Sequence, residues 1–476
     1  MKKKSMFIQD APHVEDIHDA NALIKELWDK LRDYEDKLAT SSRNSSSSPS
    51  KDSPEVKAER KKLKAPRSRH SAGAQPGHTG HRRPLSKLKP SDNVVLCPPE
   101  PHCRHCGGDV VVNATPSRRH QVFELPPQTF DITEYQLFHG RCDCCSVVSQ
   151  GQLPSDAPSG QIGPRLMSQI AVLAGQYHLS LNKIRQLLQD QYGTTFSIGA
   201  LSEVQGRVST MLTPVHQALK AHIQKASIIH ADETTHPRND DQSTRWLWLM
   251  ASDDAVFQNV RFSRSQDNAK HLLGEQTVSV IVTDQCASYN WLDPARHQFC
   301  LAHVKRNLQQ MADYSGGGLT ARLGAKLVLM VSCIFRTQHR FEQDEISEPQ
   351  WLRRMQRLRK IIKALLQKGT QVPASRYAGR CQHILKYETG LWVFLQYSGT
   401  PLTNNEAERC LRGSVIMRKI CYGTNSDRGD KFRSRLLSVI ETSKKRGVNA
   451  LNMIETIVTA VIEKREYPDV FKLITA

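Results

Sequence analysis

The sequence is poor in the features that membrane and secreted proteins need. No apolar run approaches the roughly 20 residues that span a bilayer; the longest, at residues 327–335, is far shorter. Lys2-Lys3-Lys4 is followed by no apolar core, so it does not read as a signal peptide. Cysteines are not spread evenly as in a disulfide scaffold: of 12, six fall between Cys97 and Cys145. That clustering points to a reducing compartment and a metal site. Acid is scarce beside base, with 47 Asp or Glu against 66 Lys or Arg. The net charge of +19 excludes a neutral surface and points to a polyanionic partner. The expectation is a cytoplasmic, nucleoid-associated protein with no membrane partner.

What is present divides the chain. At 476 residues it exceeds one core. Residues 1–40 carry Ile17, Ile24, Leu31 and Leu38 at seven-residue intervals, with Ala20, Leu27 and Tyr34 between them. About three heptads suit a coiled coil and a homo-oligomer; an amphipathic helix packed on its own body is the alternative. Residues 41–92 begin Ser-rich and turn basic, and residues 51–90 hold 12 Lys or Arg against 3 Asp or Glu. Gly and Pro are too dense at 73–84 for a regular element, so this is a flexible basic linker whose Arg82 and Arg83 order on a DNA backbone.

Residues 93–155 hold Cys103-x-x-Cys106 and Cys142-x-x-Cys145. Two such pairs suit a tetrahedral structural Zn²⁺, with strands over 121–125 and 132–138 bridging them. Cys144 competes with Cys145 for the fourth ligand position, and unpaired buried thiols compete with zinc altogether. Residues 160–222 read as short helices, with Ser180 and Ser197 as caps and Gly193 as a stop. With Lys183, Arg185 and Arg207 exposed, they resemble a DNA-binding helix-turn-helix; helices that merely support a core show the same pattern.

Residues 225–303 switch to strands, expected over 227–231, 245–250, 255–261, 278–283 and 297–300, with a helix over 267–273. Three antiparallel strands followed by parallel ones separated by helices is the order of an α/β, ribonuclease H-like mixed sheet. Residues 304–400 read as a helical insertion with basic faces, and residues 401–476 complete the core with an acidic helix and C-terminal helices. Asp232 and Asp284 each end an apolar strand, and Glu408 lies on the helix that opens at Asn404-Asn405. Three converging carboxylates would suit two Mg²⁺ or Mn²⁺ ions, and so phosphoryl transfer. The alternatives are turn carboxylates and, for Glu408, a capping box with Asn405; Glu406 is the rival acid. Glu233, next to Asp232 on a strand, should point to the opposite face. Arg409 and Arg412, one helical turn apart, could clamp phosphates. Cys300 and His303 should pack beside the site, since two ligands are too few for a closed zinc centre.

The motifs in order resemble the insertion sequence 66 family of bacterial DDE transposases. The residues that carry the resemblance are His230-Ala231-Asp232-Glu233-Thr234, Thr283-Asp284 with Tyr289-Asn290, Cys300-Leu301-Ala302-His303, Asn404-Asn405-Glu406-Ala407-Glu408-Arg409, and the run from Arg418-Lys419 to Thr442. Gln285-Cys286 and Thr403 depart from the family pattern beside two of these motifs. The resemblance implies that Asp232, Asp284 and Glu408 are the catalytic metal ligands and that Arg418 and Lys419 meet DNA. It implies a metal-activated water that cuts the element's end, after which the freed 3′-hydroxyl attacks target DNA. It also implies terminal inverted repeats and small accessory proteins as partners. A nuclease that cuts without joining, or an inactive DNA-binding relative, would share most of these residues.

Overall fold

A computed structural model describes residues 16–45, 52–63, 85–87, 89, 94–123, 125, 128–240 and 243–472. Arg82 and Arg83 of the basic linker lie outside the described residues. The chain forms two compact units, one of Ala58–Asp131 and one of Met1–Lys57 with Ile132–Ala476.

Two helices precede the cysteine region, α1 (Ile17–Leu38) and α2 (Pro54–Leu63). Asp16 caps α1 by accepting from Asp19 N. The C-terminal end of α1 is anchored: Asp36 accepts from Ser315 N at 3.0 Å and Tyr377 Oη at 3.4 Å, and Arg43 pairs with Asp313 at 2.7 Å. The heptad residues face solvent instead, with Ile24 61% and Leu31 53% exposed.

In the smaller unit, a bridge between His102 and Asp109 closes the turn around Cys103. Among the described residues the expected bridging strands are not seen: 121–123 and 132–138 take no regular strand, and apolar side chains there, such as Val122 and Ile132, stay exposed. Apolar alternation makes a strand only where a second backbone accepts its hydrogen bonds. Pairing begins at β1 (His139–Arg141), antiparallel to β2 (Val148–Gln150).

Four helices follow, α3 (Pro164–Gly175), α4 (Leu181–Tyr192), α5 (Ile198–Met211) and α6 (Thr213–Ile223). The caps are those expected: Ser180 and Ser197 accept from Lys183 N and Ala200 N, and Gly193 closes α4 at φ 67°.

The central sheet comprises β3 (Ile228–Pro237), β4 (Thr244–Ala251), β5 (Val256–Arg261), β6 (Val280–Thr283) and β7 (His297–Phe299), with α7 (Gln266–Leu273) between β5 and β6. Its order is β5-β4-β3-β6-β7. β3, β4 and β5 are antiparallel, and β3, β6 and β7 are parallel. β6 is buried on both faces, as its apolar β-branched run requires. β3 runs six residues past the expected Ala231. Its polar Glu233, Thr234 and Thr235 pair with Trp248, Leu247 and Trp246, so backbone pairing outweighs their composition.

The remaining helices are α8 (Leu301–Ala312), α9 (Gly318–Glu342), α10 (Glu348–Gly369), α11 (Ser375–Lys386), α12 (Asn405–Cys421), α13 (Asp427–Arg446) and α14 (Ala450–Ile462). α8 to α11 build their own core around residues such as Leu308, Leu327, Trp351, Met355 and Tyr377. α9 is long and apolar enough by composition to cross a membrane, but Leu323, Leu327, Val331 and Ile334 bury in that core. α3 crosses α13 at Gly175, where an added Cβ would stand 2.5 Å from Leu436.

α13 also seals an edge of the sheet. Ser434, Ser438 and Thr442 accept from the backbone N–H of Val260, Gln258 and Val256 at 3.2, 2.8 and 2.9 Å. Four helical residues rise about 6 Å and two strand residues about 6.8 Å, so hydroxyls at every fourth position match every second residue of β5. This satisfies the open donors that make an edge strand sticky.

Candidate active site

Sheet parity places Asp232. It pairs with Leu249, and His230 and Thr234 pair with Ala251 and Leu247. Leu247, Leu249 and Ala251 pack against Ala407, Cys410 and Leu411 of α12, so Asp232 projects to the face that α12 covers. The parallel pairing ends at His230 with Val282. The same register carried two residues further sets Asp284, just past β6, beside Asp232.

α12 is pinned to β3 at both ends. Before the helix, Asn404 Nδ2 donates to Ala231 O at 2.7 Å, and its Oδ1 meets His230 Nδ1 at 3.0 Å. The Asn404 backbone N–H points at Cys300 Sγ at 3.2 Å, and Leu301 N donates to Leu402 O. Toward the other end, Arg418 Nη1 donates to the hydroxyls of Thr234 and Thr235 at 3.1 and 2.6 Å. Beyond it, Thr424 N donates to Pro237 O, and Gly423, at φ 120°, passes so close to Pro237 that a side chain there would collide with its carbonyl. Asn404 occupies the N-cap position but makes no side-chain cap bond; its amide is committed to β3.

This pinning separates the two acids of α12. Glu406 turns to Lys445 and Arg409, which hold its carboxyl below the usual range against the opposing effect of burial. Glu408 instead faces His303 Nε2 at 3.7 Å and Arg306 Nη2 at 3.8 Å. Burial, and then Arg306, push the His303 imidazolium down, while Asp284 and Glu408 act to raise it. Cys300 is buried and its thiol pushed up. Asn307 Nδ2 donates to Gln285 at 2.7 Å, which gives one of the departing residues a partner on α8.

Asp232 shows the electrostatic character of the site. Burial raises its carboxyl well above the ordinary range, and the negative charges of Glu233, Asp284 and Glu408 push the same way. Such a set has an excess of hard oxygen donors and suits a divalent cation. The three carboxylates are not drawn into a closed cage. Among the described residues, the ligand atoms lying within 4.8 Å of one another belong to Glu233, Asp284 and Cys286. That cluster already holds a cation. Arg264 Nε donates to Glu233 Oε1 at 2.6 Å, Tyr289 Oη donates to Glu233 Oε2 at 2.6 Å, and Arg264 Nη2 lies 3.7 Å from Asp284 Oδ2. The guanidinium also stacks over Trp246 at 5.1 Å. Glu233 is thus on the face opposite Asp232, as expected, and it fixes Arg264 beside Asp284.

The sequence offered no signal for Arg264, which sits in the loop between β5 and α7. Asn404 had one, the paired asparagines ahead of the acidic helix. The other expected DNA-binding residues are scattered: Lys183 and Arg185 are exposed on α4, Arg409 and Arg412 are exposed on α12, Arg418 is half-buried against β3, and Lys419 is exposed.

The two cysteine pairs close the same kind of turn. Cys103 N donates to Gly108 O and Gly107 N to Cys103 O; Cys142 N donates to Val147 O and Ser146 N to Cys142 O. The residue after the second cysteine is left-handed in each, Gly107 at φ 71° and Ser146 at φ 59°. Backbone N–H groups push both leading thiols down, His105 first for Cys103 and Cys145 first for Cys142. Each turn therefore presents two thiols in a form suited to a soft metal. By position in the turn, Cys145 is the equivalent of Cys106, and Cys144 has no counterpart.

The model of the Transposase IS66 family matches residues 159–431, and that of a family of unknown function (DUF6444) matches residues 9–84. The uncharacterized protein y4hP of Sinorhizobium fredii (strain NBRC 101917 / NGR234) is 25% identical over 419 residues, which cover 77% of this chain and 72% of that protein. The first match takes in more than half of the chain, with Asp232, Asp284 and Glu408 inside it, and the chain belongs to the IS66 family of transposases.

Proposed function

We propose that the chain is a DDE-type DNA transposase that binds the terminal inverted repeats of its element, cuts there and joins the ends to target DNA in the cytoplasm. The observation that carries this reading is the double pinning of α12 to β3, which brings Glu408 to the face of Asp232 while register brings Asp284 alongside. The sheet order supports a ribonuclease H-like core, with α8 to α11 read as its helical insertion.

Asp232, Asp284 and Glu408 would hold Mg²⁺ or Mn²⁺. Bound there, the ions would neutralise phosphate charge and lower the pKa of attacking water. The chain's own groups do the rest. Asn404 and Arg418 hold the Glu408 helix in register. Arg264, set by Glu233 and Tyr289, keeps a guanidinium beside Asp284 where a phosphate oxygen can meet it. Arg306 does the same beside Glu408, next to the His303 ring. The cysteine turns supply thiolates for structural Zn²⁺, and the exposed heptad face of α1 supports a homo-oligomer.

The test uses labelled duplexes carrying the element's ends, with Mg²⁺ or Mn²⁺, and compares wild type with Asp284→Asn. Joined products from wild type alone are expected. Cleavage without joining would replace the reading with a nuclease. Equal products from both proteins would remove Asp284 from the chemistry.

A further inference from the structure

A cleft of about 640 Å³ opens between α5, α13 and the end of α14. Arg207, Arg428, Lys431 and Arg435 line it against a single acid, Glu203. The three α13 cations follow at i, i+3 and i+7. They share one helical face and span about 10 Å of it.

Two of them also hold the wall together. Arg428 Nη2 donates to Ser202 O and, at 2.9 Å, to Ser202 Oγ; Arg435 Nη1 donates to Ser209 O at 3.0 Å. Gly206 makes room for the first, since a Cβ there would stand 2.8 Å from Arg428 Nε. These partners are neutral and cancel no charge. Four cations thus line one cleft against Glu203, and the excess positive charge suits an anion.

The cleft also settles how α5 can be used. Leu201, Val204 and Val208 of this helix are buried, and its other strip, with Gly206 and Arg207, forms a wall of the cleft. α5 therefore does not stand free to enter a major groove, but the cleft can receive a row of phosphates.

We propose that this cleft, apart from the catalytic carboxylates, binds the sugar-phosphate backbone of duplex DNA. The proposal rests on the transposase reading for its partner. Its test is the salt dependence of binding of the full chain to a labelled duplex. The variant is Arg207→Ala with Lys431→Ala, which spares the two arginines that hold α5. The control is Arg354→Ala with Arg357→Ala, exposed on α10 and equal in charge removed. Losing two phosphate contacts lowers the slope of log K against log salt by about 2 and weakens binding roughly thirtyfold at 0.15 M salt. The α10 control keeps the wild-type slope. In parallel, duplex DNA should protect Lys431 from acetylation and leave Lys360 reactive. An unchanged slope in the cleft variant, an equal loss in the control, or an unprotected Lys431 overturns the cleft while the transposase reading stands. Wild type that fails to bind any duplex overturns both.

Discussion

Asn404→Ala is the sharpest test of how the site is assembled. Asn404 is 1% exposed, and its amide serves Ala231 O and His230 Nδ1. Alanine leaves both groups buried and unpaired. Each costs about 1–3 kcal/mol, so the variant should lose roughly 2–6 kcal/mol of stability by that principle. The backbone bond to Cys300 survives, and the Asn404 side chain makes no cap bond to α12, so no lost cap adds to the cost. With its N-terminal pin gone, α12 can shift, and a misplacement of about 1 Å at Glu408 should slow cleavage on the order of 100-fold. Asn405→Ala is the control, because Asn405 is exposed and should change stability by less than about 0.5 kcal/mol. Urea unfolding and end cleavage are measured on both variants. If Asn404→Ala matches Asn405→Ala in both, the pin does not set the site.

Three further outcomes are expected. Asp232 has a raised carboxyl, so the folded metal-free protein binds its proton more tightly than the unfolded chain does, and stability falls as pH rises from the unfolded value near 3.9. Asp232→Asn should therefore stabilise the metal-free protein at pH 7.5 and not at pH 3, and thermal melts showing no gain at pH 7.5 would refute this. Purified protein should carry zinc by elemental analysis; Cys106→Ser and Cys145→Ser should lose it and Cys144→Ser should keep it, so zinc lost only with Cys144 would reverse the ligand assignment. Ile24→Asp with Leu31→Asp should lower the mass measured by light scattering, since both side chains lie on the exposed heptad face of α1; an unchanged mass would place self-association elsewhere.

Much of the site could be read along the chain because its signals are local. The β-branched run ahead of Asp284 specifies a buried strand. The serine caps and Gly193 specify helix ends, and heptad spacing specifies a stripe on α1. Each depends on residues within a turn or two of one another. The choice between Glu406 and Glu408 was not local. Both lie in the first turn of α12, and only the packing of that helix on β3 and β4 turns one toward Lys445 and the other toward His303. Arg264 likewise gains its place from Glu233, Trp246 and Tyr289, which are 31, 18 and 25 positions away in the sequence. The three hydroxyls of α13 that seal β5 are ordinary serines and a threonine until that helix lies along the strand. Local signals in the chain were enough for the capped helices, for buried strands such as β6 and for the acids that could converge, because propensity, capping and periodicity act over short range; they were not enough for 132–138, which stays out of a sheet, or for the extension of β3 to Pro237. Which acid of α12 turns toward Lys445 and which toward His303, and what holds that helix on β3, came only with tertiary packing, because hydrogen bonds and charges between distant segments exist only once packing has set the register.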